Sequence, residues 1–414
     1  VCSCGSGNST TPEPDSGAAA DSAAGQLDSG SNDGALAPAY SGAPDAPRQG
    51  ATPDGGAGPC ASLVGWCELP NTKLADVCPS ASQYPAIQEN EGCAAVINDW
   101  SGAAADTTRN RLVLWGGGHH GYFGNEVYAL DLNQLAMSRE NDPSDVSGYD
   151  FSNCSGPDLY ADGRPVSRHT YDGLAYIAHA DKLFAFSGAK APCGYQSNDT
   201  WTLDLATVGT TPLGQAAPWK SMAPALSGGQ LRGTVGAVSD YDPNTKRVIL
   251  NDDSSLWAYD FDSNRYTLLN DSKAAIDYHM TGRVDPKRNL FVVIGGAGSA
   301  GGGMRVFDIG TASAGAAEQD WTAQVTGCDG LIQAVYPGLA YDPAQDRMVG
   351  WAGGDTVYTL DLDAKSCQTK TFASGPGAQN ANGTMGRFRY FASLNVFAVV
   401  NDWKQNAFAL RLSP

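Results

Sequence analysis

The 414-residue chain has only five histidines and six methionines, and only 17% of its residues are charged. Basic residues are the scarcer sign: Lys and Arg total 26 against 44 Asp and Glu, a formal net charge of -18. A surface this acidic repels phosphate backbones, which argues against generic nucleic-acid binding. No apolar run approaches the length of a membrane span. Long amphipathic helices would need more Lys, Glu and Leu, and the longest candidate, around "DLNQLAMSREND", is short. Also missing are a paired CxxC of a zinc ribbon, a CxxCH haem attachment and the G-x-S-x-G elbow of a serine nucleophile. Residues 1–59 contain a single aromatic, Tyr40.

What is present divides the chain in two. Residues 1–59 are Gly, Ala, Ser, Pro and Asp, which bury too little apolar surface to offset the entropy of ordering, so they read as an acidic disordered tether. Residues 60–414 read as one folded domain. Its 9 Trp and all but one of the chain's 17 Tyr, with much of the chain's 50 Gly, suit short strands joined by tight turns. Ten cysteines fit an oxidising compartment, and Cys60, Cys67, Cys78, Cys93, Cys154, Cys193, Cys328 and Cys367 are expected in disulfides whose pairing the sequence leaves open.

A repeat sets the architecture. Six segments share a strand, a polar turn often containing Asp-Pro, a hydrophobic strand, a loop, and an alternating strand ending in Asp-Leu or an equivalent. "AVSDYDPNTKRVILNDDSSLWAYDF" and "GLAYDPAQDRMVGWAGGDTVYTLDL" are clear copies. A fourth short strand follows most of them, at "LAMSRE", "PWKSMA", "RYTLLN", "DWTAQVT" and "CQTKTFA". The sixth copy lacks one, and "GWCELPNTKL" near residue 65 is the candidate to complete it. The expected fold is all-β: a six-bladed propeller with four-stranded blades closed by an N-terminal strand, or a seven-bladed one if residues 60–100 hold another blade.

The glycine clusters after the second strand, "LWGGG", "FSG", "VIGG" and "WAGG", each followed by an aromatic in the third strand, resemble the kelch group of propellers over roughly residues 60–414. The resemblance implies the fold and says little about activity, since propellers host many functions. The start "VCSC" plus the tether is similar to a bacterial lipoprotein after loss of its signal peptide, with Cys2 or Cys4 as the lipidated residue. That implies membrane attachment and an extracellular or outer-surface location.

Blade topology places the histidines. Loops joining second to third strands, and fourth strands to the next blade, share one face. His119 and His120, in "LWGGGHHGYFGN", His169, in "SRHTYDG", and His279, in "DYHMTGR", map to it, whereas His179 falls in a turn on the opposite face. Adjacent residues of an extended segment point to opposite sides, so His119 is expected to face the site with His120 supporting it. Arg168, Arg232, Arg283, Arg387 and Arg389 lie near the starts of the innermost strands, which gathers guanidinium groups at the channel mouth.

Imidazoles, guanidinium groups, Tyr122, Asn125, Tyr171 and Tyr390 are the ingredients for handling sugars: rings stack on pyranose faces, and amides and guanidinium groups bond hydroxyls or carboxylates. One expectation is β-elimination of a uronic-acid-containing polysaccharide. Arg387 or Arg283 would neutralise the carboxylate, His169 or His119 would act as base and Tyr171 as acid, with His279 nearby. This loosely resembles propeller-type polysaccharide lyases such as the ulvan lyases. The alternative is a non-catalytic module that displays the face to a glycan or a protein. A copper radical oxidase, suggested by the kelch propeller of galactose oxidase, would need a Cys crosslinked to a ligand Tyr, and none is placed for it. Glycoside hydrolysis would need a carboxylate pair, and Asp172, Asp277, Asp329 and Asp355 offer no obvious one. Structural calcium in the "NDDSS" loop, or a His-bound divalent metal, is the cofactor expectation.

Overall fold

The computed structural model describes residues 60, 62–208, 218–271, 279–296, 302–310 and 317–413. The tether, Cys2, Cys4 and Asp277 lie outside the described residues.

The architecture is all-β, built of four-stranded antiparallel sheets, consistent with a β-propeller. The first sheet comprises Ala103–Asp106, Arg111–Leu114, Tyr128–Asp131 and Ala136–Arg139. The second begins at Leu174–Ile177, the third at Val238–Asp242, the fourth at Met280–Asp285, the fifth at Gly338–Asp342 and the sixth at Phe388–Phe391. Ala225–Ser227 adds a parallel fifth strand to the third sheet. Gly65–Glu68 pairs antiparallel with Phe408–Arg411 in the sixth, with Gly65 opposite Arg411. The fourth strand expected at "DWTAQVT" is instead Glu318–Asp320; Trp321 turns inward, and its backbone N–H bonds the Met304 carbonyl. Between Glu68 and Ala103 the described elements are short helical turns, not strands. None of the described helices is long and apolar enough to cross a membrane.

The second strands read as unbroken apolar runs because both of their faces are buried. In Arg111–Leu114, Leu112 and Leu114 join one core with Val396 and Ala398 of the sixth sheet, while Val113 packs with Leu183 and Trp201 of the second. Phe291 and Val293 face Ile249 and Ala258 of the third sheet, while Val292 and Ile294 face Leu339 and Met348 of the fifth. Period-two alternation thus feeds two adjacent cores from one strand.

The recurrent aspartates have a local cause. Asp106, Asp242, Asp285 and Asp342 end the innermost strands, are fully buried, and accept a backbone N–H two or three residues on, as in Lys287 N to Asp285 Oδ1 at 2.9 Å. Asp131, Asp204, Asp260, Asp308 and Asp361 do the same at the ends of third strands. These side-chain-to-backbone bonds close both turns of a sheet on one side. Much of the acidic charge is therefore spent on turn geometry.

Innermost strands touch in sequence: Ala103–Asp106 against Leu174–Ile177, then Val238–Asp242, Met280–Asp285, Gly338–Asp342 and Phe388–Phe391, which again meets Ala103–Asp106. The approach is close. A Cβ on Gly386 would lie 2.2 Å from the Ala103 carbonyl oxygen, so only glycine fits there.

The eight cysteines expected in disulfides form Cys60–Cys67, Cys78–Cys93, Cys154–Cys193 and Cys328–Cys367, which fits an oxidising environment.

Candidate functional site

The loop after the second strand of the first sheet runs Gly116–Gly117–Gly118–His119–His120. It is pinned because Gly117 N–H donates to Ser101 Oγ (2.9 Å) and to the Arg168 carbonyl (3.1 Å). A Cβ on Gly118 would sit 2.4 Å from the Ser167 carbonyl oxygen and 2.5 Å from Arg168 N. Glycine there lets the loop lie against the segment that carries His169. The rings of His119 and His169 consequently stack, with centroids 4.6 Å apart and planes at 24°. His120 is exposed, its ring perpendicular to that of His119 at 5.2 Å, and its carbonyl accepts from Asn90 Nδ2 (3.0 Å).

His169 is 3% exposed, and neither of its ring nitrogens makes a hydrogen bond among the described residues. Its Nε2 lies 3.9 Å from Asp99 Oδ2, beyond hydrogen-bond reach. Burial, reinforced by His119 and His120, holds the imidazole well below its ordinary pKa. Burial also pushes the Asp99 carboxyl up to about 8, helped by the charge of Glu91. At neutral pH the pair therefore consists of a neutral imidazole beside a protonated carboxyl, an acid and a base in one buried pocket.

Rings extend the cluster. Trp100 lies 5.2 Å from His169 and Tyr171 6.2 Å from it; Tyr171 reaches Tyr336 at 6.1 Å, and Tyr336 reaches His279 at 5.0 Å. Trp100, Tyr171 and Tyr336 all adopt left-handed backbone, with φ of 43°, 49° and 45°. Bulky side chains pay strain there, and such outliers concentrate at functional sites. Each stands two residues before a glycine that precedes or opens an innermost strand: Trp100-Ser-Gly, Tyr171-Asp-Gly and Tyr336-Pro-Gly.

The structure thus brings together His119, His120, His169, Tyr171 and His279. Asp99, Trp100 and Tyr336 were not singled out from the sequence, although the aromatic-x-Gly repeat could have found the two rings. His179 sits in the first turn of the second sheet, its Nδ1 2.9 Å from the Tyr241 hydroxyl.

Four of the five arginines expected at the channel mouth, Arg168, Arg283, Arg387 and Arg389, are engaged by protein acceptors, which corrects their assignment to the substrate, whereas Arg232 is exposed. Arg387 is fully buried and donates to four backbone carbonyls: Nε to Val400 (3.1 Å), Nη1 to Ile97 (2.7 Å) and Ser101 (2.6 Å), and Nη2 to Gly383 (2.5 Å). Arg283 pairs with Asp172 at 2.7 Å and bonds the Leu339 carbonyl, while Arg389 pairs with Asp240 at 3.1 Å. Arg168 is buried against Asp199 at 2.8 Å and over the Trp115 ring.

Three further expectations are corrected on burial and position. Tyr122 is fully buried and donates to Glu126 (2.7 Å), so its ring offers no face to a sugar. Asn125 is fully buried and bonds Ser144 and the Pro165 carbonyl. Tyr390 packs on Phe397 and donates to Asn395 in the turn that follows its strand, on the side away from His119. Among the proposed carboxylates, Asp172 is bound to Arg283, Asp329 begins the short helix Asp329–Ile332, and Asp355 accepts from Gly375 N.

Beside the histidines lies an open polar cleft of about 560 Å3. A small sheet links the two. Arg168–His169 pairs with Ala189–Lys190, which pairs with Tyr195–Gln196, so His169 stands on one edge and Tyr195 on the other. Gly194 abuts His119: a Cβ there would lie 2.8 Å from the imidazole Cδ2.

No group of three or more His, Cys, Asp or Glu is arranged to hold a metal ion among the described residues. In "NDDSS", Asp252 accepts from Ser254 N, Ser255 N, Arg232 N and Trp257 Nε1.

No family model matches the chain, and no curated protein matches it. Among solved structures it is similar to a structural-genomics protein of unknown function from Bacteroides thetaiotaomicron VPI-5482. The identity is 8%, the TM-score 0.47, and the match covers 84% of this chain and 75% of that one.

Proposed function

We propose that the protein is a six-bladed, kelch-like β-propeller, displayed outside the cell, that binds a polysaccharide on the face carrying His119. Six sheets whose innermost strands each meet the next, with Gly65–Glu68 paired to the last, support the count of six blades. Four disulfides favour the extracellular setting, and a lipidated Cys2 or Cys4 on the tether would supply the attachment.

The observation that carries the reading is the small sheet with the His119–His169 stack on one edge and the polar cleft on the other. Hydroxyl-binding groups and proton-exchanging groups then share one face. A net charge of -18 makes nucleic acid an unsuitable partner.

A second reading, β-elimination on a uronate polymer, is favoured by the neutral His169 beside protonated Asp99 and Tyr171. Arg283 and Arg387 drop out of that scheme because their donors are already taken by protein acceptors. The test is direct. Titration with neutral and acidic oligosaccharides should give saturable binding, and its absence across a broad glycan panel removes the proposal. Ultraviolet absorbance of an unsaturated product on incubation with uronate polymers, abolished by His169→Ala, separates lyase from binder.

A further inference from the structure

We propose that the cleft is a subsite for a carboxylate-bearing sugar residue, with Tyr195 as the stacking platform and Arg232 as the group that reads the carboxylate. This deepens the glycan-binding reading and rests on it.

The cleft has a size ordinary for ligand sites, which run about 300–1,000 Å3. Its walls come from three loops. Ser155, Gly156 and Asp158 precede the second sheet, Tyr195–Asn198 comprise the edge strand of the small sheet and the two residues after it, and Gln230–Gly233 lead into the third sheet. The Cys154–Cys193 disulfide joins the first two walls immediately beside the residues that line them. A cross-linked cleft loses little freedom when a ligand enters it.

Each lining group has a recognisable part. Tyr195 is 53% exposed, the most exposed large apolar-bodied side chain among the described residues. Lys190 Nζ lies 5.0 Å from its ring centroid, which fixes the ring and leaves it available for stacking. Lys190 is itself buried and donates to Asp158 and to the Gly156 carbonyl, so these two charges cancel within the wall. Gln196, Asn198 and Gln230 carry amides, which both donate and accept as sugar hydroxyls require.

That leaves Arg232 as the uncompensated charge of the lining. Its backbone N–H is anchored on Asp252 Oδ2 at 3.1 Å, which fixes the loop. Among the described residues its exposed guanidinium is held only by Ser254 Oγ at 3.5 Å, the far limit of a hydrogen bond. A planar fork so lightly engaged suits the bidentate capture of a carboxylate.

The test is calorimetric titration of the full chain with three oligosaccharides of equal length: uncharged, uronate-containing and sulfated. The uronate ligand should bind about tenfold more tightly than the uncharged one, the scale of one charge-assisted hydrogen bond. Arg232→Ala should bring that ratio to about one, Arg232→Lys should retain part of it, and Tyr195→Ala should weaken both ligands. Equal affinities for charged and uncharged ligands in the wild type, or a preference that survives Arg232→Ala, overturns the subsite while leaving the glycan reading in place. Tightest binding of the sulfated ligand overturns the carboxylate assignment. No binding of any of the three removes the parent reading and the subsite together.

Discussion

Arg387→Met separates a guanidinium that holds the fold from one that meets a substrate. Arg387 draws the carbonyls of Ile97 and Ser101, at the entry to the first sheet, together with those of Gly383 and Val400 at the sixth. Methionine fills similar space but donates nothing, so four buried carbonyls lose a charged donor. At about 1 kcal/mol for each lost bond, the variant is destabilised by about 4 kcal/mol. Unfolding entropy of about 2.1 cal/mol/K per residue over the roughly 330 described residues gives about 0.7 kcal/mol/K. The expected fall in Tm is therefore about 6 °C, measurable by differential scanning calorimetry with the wild type alongside. A Tm within about 1 °C of wild type, accompanied by loss of acidic-glycan binding, would refute the reasoning and return Arg387 to the site.

Other consequences follow from the same geometry. The Asp99 carboxyl, raised to about 8, stays protonated in the folded chain where the unfolded chain has already released its proton. Its contribution to stability is thus complete below the ordinary carboxylate range and is lost as pH rises through about 8. Asp99→Asn should flatten the decline of Tm across that interval, and an unchanged slope would contradict the assignment. Gly118→Ala, whose Cβ would meet the Ser167 carbonyl at 2.4 Å, should cost about 1–3 kcal/mol and separate the His119 and His169 rings, seen as shifts in their imidazole NMR signals. Wild-type stability and unmoved signals would show that the loop does not need glycine there. Replacing Cys154 and Cys193 together by serine should cost about 2–4 kcal/mol and weaken glycan binding, because one link joins both cleft walls; undiminished affinity would show the walls to be independent.

The repeat made the sheets legible. Asp-Pro turns and Asp-Leu strand ends recur because each turn needs a carboxylate to accept its backbone N–H groups, so the pattern is written in sequence at a fixed spacing. Loop order then placed four histidines on one face, and His119, His120, His169 and His279 do lie along one line of ring contacts. Depth was not legible. Arg283, Arg387 and Arg389 look like surface cations in a one-dimensional reading, yet their guanidinium arms are buried on backbone carbonyls such as those of Leu339, Val400 and Ala103. Tyr122 and Asn125 follow the histidines closely in sequence, but the loop folds back into the core beneath them. Tyr195 and Arg232 do not stand out as a pair in sequence because the disulfide beside the cleft joins segments 39 residues apart and Arg232 comes from a third segment.

The most direct measurement is a crystal structure of the protein with a bound uronate oligosaccharide. The account predicts a sugar ring over Tyr195, its carboxylate on Arg232, and the chain running toward His119. A ligand seated on the opposite face, beside His179 and Tyr241, would contradict it.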